Sequence, residues 1–134
     1  IVDAPMAVEI VSGTTTAITG YEPASGKVLW SHALEGQQSP LRVVGSPVYA
    51  NGVIICYTGD GGGDRYTIAI DPDGKTPTKV WELKKGPTPY VPCMIAKGEL
   101  VYWIADNGIP CCAEAKTGKK ATIKAWMKLE RIKK

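Results

Sequence analysis

The order of residues in GYEPASGKVLW (20–30) occurs three times in this chain of 134 residues. It returns as AIDPDGKTPTKVW (69–81) and as CAEAKTGKKATIKAW (112–126). In each copy a small residue stands two places before an acid: Gly20 before Glu22, Ala69 before Asp71, Cys112 before Glu114. A turn with Gly-Lys follows (Gly26-Lys27, Gly74-Lys75, Gly118-Lys119), and then a tryptophan: Trp30, Trp81 or Trp126. The tryptophans are 51 and 45 residues apart. A period of this size restricts the fold strongly. One small supersecondary unit is built three times, and each copy buries its apolar surface on its neighbours.

A second shared element precedes the motif. SPVYANGVIICY (46–57) aligns with PCMIAKGELVYW (92–103), each with a short strand, a tight turn on Asn51-Gly52 or Lys97-Gly98, and an apolar strand. Asn-Gly between strand patterns is a strong hairpin signal, because both central residues take positive φ. Strands are expected near 46–50, 53–58, 65–71 and 79–84, and again near 92–96, 99–105, 110–114 and 122–128. The chain therefore reads as all-β: four-stranded antiparallel blades of a partial β-propeller. The blades fall at about 4–34, 46–84 and 91–128, with a basic tail over 129–134. The first blade is short. Pro5 to Glu22 spans 17 residues, against 24 from Pro47 to Asp71 and 22 from Pro92 to Glu114, which predicts three strands instead of four.

The motif has a structural rationale. A blade is a small twisted sheet that cannot bury both faces alone. Tryptophan on its outer strand supplies a large flat body for stacking, and its indole N–H needs a partner. An acid followed by Ser/Thr-Gly (Glu22 with Ser25-Gly26, Glu114 with Thr117-Gly118) suits a turn held by side-chain-to-backbone hydrogen bonds. The expected docking set is Glu22, Gly26, Trp30, Asp71, Gly74, Trp81, Glu114, Gly118 and Trp126. Its work is to lock blades together, and no catalysis is needed to explain it.

These residues resemble the tryptophan-docking motif A-x-D-x-x-T-G-x-x-x-W of the pyrroloquinoline-quinone (PQQ)-like repeat family, from about Pro5 to Trp126. The acid-to-Trp interval is 8 residues in the first copy, 10 in the second and 12 in the third, so the later turns must be longer or bulged. The resemblance implies a propeller that typically closes six to eight blades, of which this chain holds about three. It also implies two function classes. One is a non-catalytic scaffold or binding surface for protein or carbohydrate, periplasmic or otherwise extracytoplasmic. The other is a fragment of a PQQ-dependent quinoprotein dehydrogenase. Blades of one chain can also complete a ring by homo-oligomerisation.

Composition excludes several roles. Hydrophobic residues make up 44%, and the longest apolar runs are only a few residues, so no membrane-spanning helix is expected. The net charge of +3 is unevenly placed. Eight of the 16 basic residues lie from Lys116 onward against only Glu130, so that segment carries +7 and the rest −4. Without aromatic residues interleaved beyond Trp126, the segment reads as a solvated last strand and terminus, not as a nucleic-acid surface.

Candidate chemical sites are few. Cys56, Cys93, Cys111 and Cys112 include no C-x-x-C pair, and His32 is the single histidine, which argues against zinc. Four cysteines allow three disulfide connectivities or free thiols. Quinoprotein alcohol dehydrogenases place a disulfide between adjacent cysteines against the cofactor, and Cys111-Cys112 resembles that pair. Here Cys112 fills the small-residue position of the motif, which favours strand packing. GDGGGDR (59–65) offers Asp60 and Asp64 as oxygen ligands for calcium. A third nearby carboxylate is lacking, and a hairpin turn explains the glycines. His32 is expected in a loop, and Tyr90, Tyr102 and Trp103 either line a groove or alternate in and out of the core. No catalytic residue and no cofactor is expected; PQQ with calcium belongs only to the dehydrogenase alternative.

Overall fold

A computed structural model describes residues 7–11, 17–34, 42–73 and 76–121. Among the described residues ten strands form three antiparallel sheets. The first contains β1 (Ala7–Val11), β2 (Ala17–Tyr21) and β3 (Val28–Ala33), in that order. The second contains β4 (Val48–Ala50), β5 (Val53–Gly59), β6 (Arg65–Asp71) and β7 (Thr78–Leu83). The third contains β8 (Ile95–Lys97), β9 (Leu100–Ile104) and β10 (Pro110–Glu114). The chain is all-β, with meandering neighbours paired in every sheet. The strand expected over 122–128, with Trp126, lies outside the described residues, as do Gly74 and Lys75.

The middle sheet has both faces covered. One face sends Ile54, Cys56, Ile68 and Ile70 into a cluster with Ile18, Trp30 and Leu34 of the first sheet's segment. The other sends Val53, Ile55, Tyr57 and Ala69 against Met94, Val101, Trp103, Ala113 and Ala115 of the third. Every residue of β5 is buried as a result, and its sequence VIICYTG shows no apolar-polar alternation. Strands covered on both sides read this way in general.

Turn chemistry sets the registers. Ala50 pairs with Val53 across Asn51-Gly52, whose φ values of 48° and 81° are those of a two-residue type I′ turn. The equivalent turn in the third sheet is one residue later than its sequence suggests. Lys97 pairs with Leu100, so the loop is Gly98-Glu99 instead of Lys97-Gly98. Only Gly98 (φ 61°) takes positive φ there. A lone glycine supports a turn with positive φ at its first position, whereas Asn-Gly supports two in a row. His32 is also placed differently from expectation. It lies within β3 opposite Ile18, because β3 continues past Trp30 to pair with the whole of β2.

Ionisation of buried phenols gives the fold a base limit. Tyr57 is fully buried, and burial first of all pushes its pKa up from 10.0 to about 12. Tyr66 is raised as well, by burial and then by its hydrogen bond to the Glu82 carboxylate. The native state thus keeps these protons where the unfolded chain loses them, so stability falls as pH rises. Denaturant midpoints are expected to hold up to about pH 10 and to drop progressively between about pH 10 and 12. A midpoint unchanged at pH 11.5 would contradict this account of Tyr57.

Candidate functional site

The motif turns of the first and third sheets are built alike. In the third, the Glu114 N–H donates to the Lys119 carbonyl at 2.9 Å and the Gly118 N–H to the Glu114 carbonyl at 2.9 Å. In the first, the Glu22 N–H donates to Lys27 and the Gly26 N–H to Glu22, both at 2.8 Å. The Thr117 hydroxyl donates to the Glu114 carboxylate at 2.7 Å and accepts from the Lys119 N–H at 3.2 Å. Ser25 does the same between Glu22 and the Lys27 N–H. Gly26 (φ 71°) and Gly118 (φ 68°) hold the left-handed position that each turn needs. Asp71 lacks a Ser or Thr partner and instead accepts the Asp73 N–H at 2.9 Å, a local side-chain turn.

Trp81 shows what the turn is for. Its indole N–H donates to the Ala115 carbonyl at 2.8 Å, and its ring covers Gly118, where an added Cβ would sit 2.9 Å from Cδ2. A ring on the second sheet is thus seated on the motif turn of the third. Trp30 is 5% exposed and packs against the middle sheet. It finds no hydrogen-bond partner for its indole N–H among the described residues. The small residue before each acid has its own purpose. Gly20 pairs with Trp30 and Ala69 with Trp81 across the strands. A Cβ on Gly20 would approach the Trp30 ring to 2.4 Å. A bulge follows each pair, at Gly20/Tyr21 and Ala69/Ile70, and aims the ring.

The calcium candidates sit in the β5–β6 hairpin. Asp60 accepts the Asp64 N–H at 2.9 Å through its carboxylate. The guanidinium of Arg65 donates to the carbonyls of Asp60 and Asp64, both at 2.7 Å, so a side-chain cation already organises the loop oxygens. The same guanidinium crosses to the third sheet, pairing with Asp106 at 2.6 Å and lying 5.2 Å from the Tyr90 ring centre. Among the described residues no group of three or more His, Cys, Asp or Glu side chains could hold a metal ion. The Arg65–Asp106 clasp was not foreseen from the sequence. Its partners are 41 residues apart, and the only hint is that GDR and ADNG occupy adjacent hairpin ends of successive repeats.

A groove of about 550 Å³ lies on the third sheet. Cys93, Ile95, Tyr102, Ile104, Pro110 and Cys111 contribute to its wall, and among the described residues its one charged side chain is Lys97. Ile95 and Ile104 are 68% and 55% exposed, an unusual amount of open branched apolar surface on a small sheet. Of the aromatic candidates, Tyr102 and Trp103 reach the groove, while Tyr90 serves the Arg65 clasp. All four cysteines are free thiols. Cys111 and Cys112 are successive in β10 and so point to opposite faces; Cys112 is buried. Burial raises the pKa of both thiols. Among the described residues the wall offers no carboxylate and one cation.

Stacked antiparallel sheets, the second seated on the third by a tryptophan over a glycine turn, define a propeller-type repeat protein. The chain belongs to the PQQ-like repeat family whose model, described as outer membrane protein assembly factor BamB, matches residues 4–124. Two solved structures share the fold. A europium-containing methanol dehydrogenase superposes with a TM-score of 0.56 at 17% identity, over 89% of this chain and 23% of that one. BamB from Moraxella catarrhalis gives 0.53 at 17% identity, over 87% of this chain and 36% of that one. The chain thus spans well under half the length of either. No curated protein matches its sequence.

Proposed function

We propose that the chain is a non-catalytic propeller module, a scaffold that presents a binding surface to a protein or carbohydrate ligand in the cell envelope. One observation carries this reading: the motif acids Glu22, Asp71 and Glu114 each commit a carboxylate oxygen to their own turn. The conspicuous surface feature is apolar, which suits association with another macromolecule more than acid–base chemistry. The family's description as an outer-membrane assembly factor supports an envelope location, on the periplasmic or another extracytoplasmic side. Fold alone does not decide the matter, since propellers host both binding and catalysis.

The second reading, a fragment of a PQQ-dependent quinoprotein dehydrogenase, is favoured by the likeness to the methanol dehydrogenase. An absorbance titration with PQQ and calcium separates the two. The scaffold reading predicts no stoichiometric spectral change and no retained calcium after desalting. A one-to-one complex with both would establish the dehydrogenase reading instead.

A further inference from the structure

We propose that Asn51, at the tip of the β4–β5 hairpin, is a site of spontaneous deamidation to isoaspartate, and that this change loosens the contact between the second and third sheets. The chain has two asparagines, Asn51 and Asn107, and glycine follows both. Glycine has no Cβ to crowd its own nitrogen, so both sequences are open to the same reaction. The glycine nitrogen attacks the asparagine Cγ, and the new C–N bond closes a succinimide as the Cγ–Nδ2 bond breaks. The side-chain nitrogen leaves as ammonia, taking the proton lost from the glycine N–H. Water then opens the ring at one of its two carbonyls and leaves aspartate or isoaspartate.

The structure separates the two sites. Asn107 and Gly108 are both exposed, whereas Asn51 is half-buried, so exposure by itself favours Asn107. Hydrogen bonding reverses that order. The Gly108 N–H donates to the Ala105 carbonyl at 2.8 Å and the Ile109 N–H to Asn107 Oδ1 at 3.3 Å, so attack at Asn107 gives up both. Among the described residues neither the Gly52 N–H nor the Asn51 side chain has a hydrogen-bond partner. Two ordinary hydrogen bonds together suffice for a rate ratio of about tenfold. The product matters because of where it falls. Isoaspartate carries the main chain through Cβ and Cγ, which adds a backbone atom to a hairpin loop whose geometry admits two residues. Ala50 and Val53, which that loop pairs, are 4% and 2% exposed in the cluster shared with Met94, Val101 and Ala113 of the third sheet. A Cβ on Gly52 would meet Lys116 of the Glu114 turn at 4.0 Å, so the loop also abuts the third sheet's motif turn.

The test is peptide mapping by mass spectrometry of protein held in mildly alkaline buffer, both folded and in denaturant. In the folded protein Asn51 is expected to convert about tenfold faster than Asn107. In denaturant, where the turn hydrogen bonds are gone, the two rates are expected to converge. A folded-state rate at Asn107 equal to or above that at Asn51 would overturn the assignment. So would an equally large preference for Asn51 in denaturant, which would trace it to flanking sequence. The structural consequence is read separately, from denaturant midpoints of fresh and aged samples. Aged wild type is expected to lose midpoint in step with isoaspartate at position 51. Asn51→Gly lacks the side-chain amide and still accepts positive φ, so it is expected to age without loss relative to its own fresh sample. An isoaspartate-containing fraction with the fresh midpoint, or an equal loss in Asn51→Gly, would overturn the loosening. None of these results bears on the PQQ titration.

Discussion

Replacing Trp30 with alanine is expected to lower the unfolding free energy by about 3–5 kcal/mol, the usual cost of emptying an aromatic site in a packed core. The ring is 5% exposed and stands in the cluster that joins the first and middle sheets, with Gly20 directly beneath it. Little room exists for neighbours to collapse into the space, because those neighbours belong to hydrogen-bonded strands. The indole N–H has no partner among the described residues, so Trp30→Phe loses no hydrogen bond to any of them and is expected to cost less than the alanine change. Trp81→Phe gives up the bond to the Ala115 carbonyl as well, a further loss of about 1 kcal/mol. Chemical denaturation of the three variants checks the ranking. A loss below 1 kcal/mol for Trp30→Ala would end the view that these rings bind the sheets together.

Tyr57→Ala is expected to have an effect of similar size, about 3–5 kcal/mol, at the other interface. The side chain is fully buried, and its hydroxyl accepts the Met94 N–H at 3.2 Å, so one residue both fills space and ties the middle sheet to the third. Gly45 makes room for the phenol; a Cβ there would fall 2.1 Å from the hydroxyl oxygen. Tyr57→Phe keeps the ring but leaves the Met94 N–H unpaired, at a cost of about 1–3 kcal/mol. Equal stability for Tyr57→Phe and the wild type would show that water satisfies Met94 instead. The base transition predicted above should also shift upward in that variant, since it removes one of the raised phenols.

The repeat made most of the strands legible. VIICYTG and RYTIAID stand out because β-branched and aromatic residues cluster there between Asn-Gly, GDGGGD and DPDG turns. The first sheet has three strands among the described residues. What the sequence could not express is direction in space. The one-residue shift to Gly98-Glu99 depends on which glycine conformation the local twist accepts. The Arg65–Asp106 clasp depends on how two hairpin ends are brought side by side. The groove depends on which face of the third sheet turns away from the second; PCCAE and LVYWI read as two-sided apolar strands either way. The tryptophan seats lie between these cases. Their residues were evident, but that Trp81 serves the following turn, and Gly20 the ring of its own sheet, is visible only once strands are paired.

The two apolar clusters have no residue in common, and the middle sheet contributes a different face to each. The molecule therefore behaves like a short spring in series, with two joints and a shared centre. Loosening one joint releases an outer sheet without first disturbing the other joint. The middle sheet, by contrast, cannot open until at least one of its neighbours has left. Local opening is thus ordered from the ends inward by geometry alone, and whatever clamps the ends raises the barrier to losing the centre.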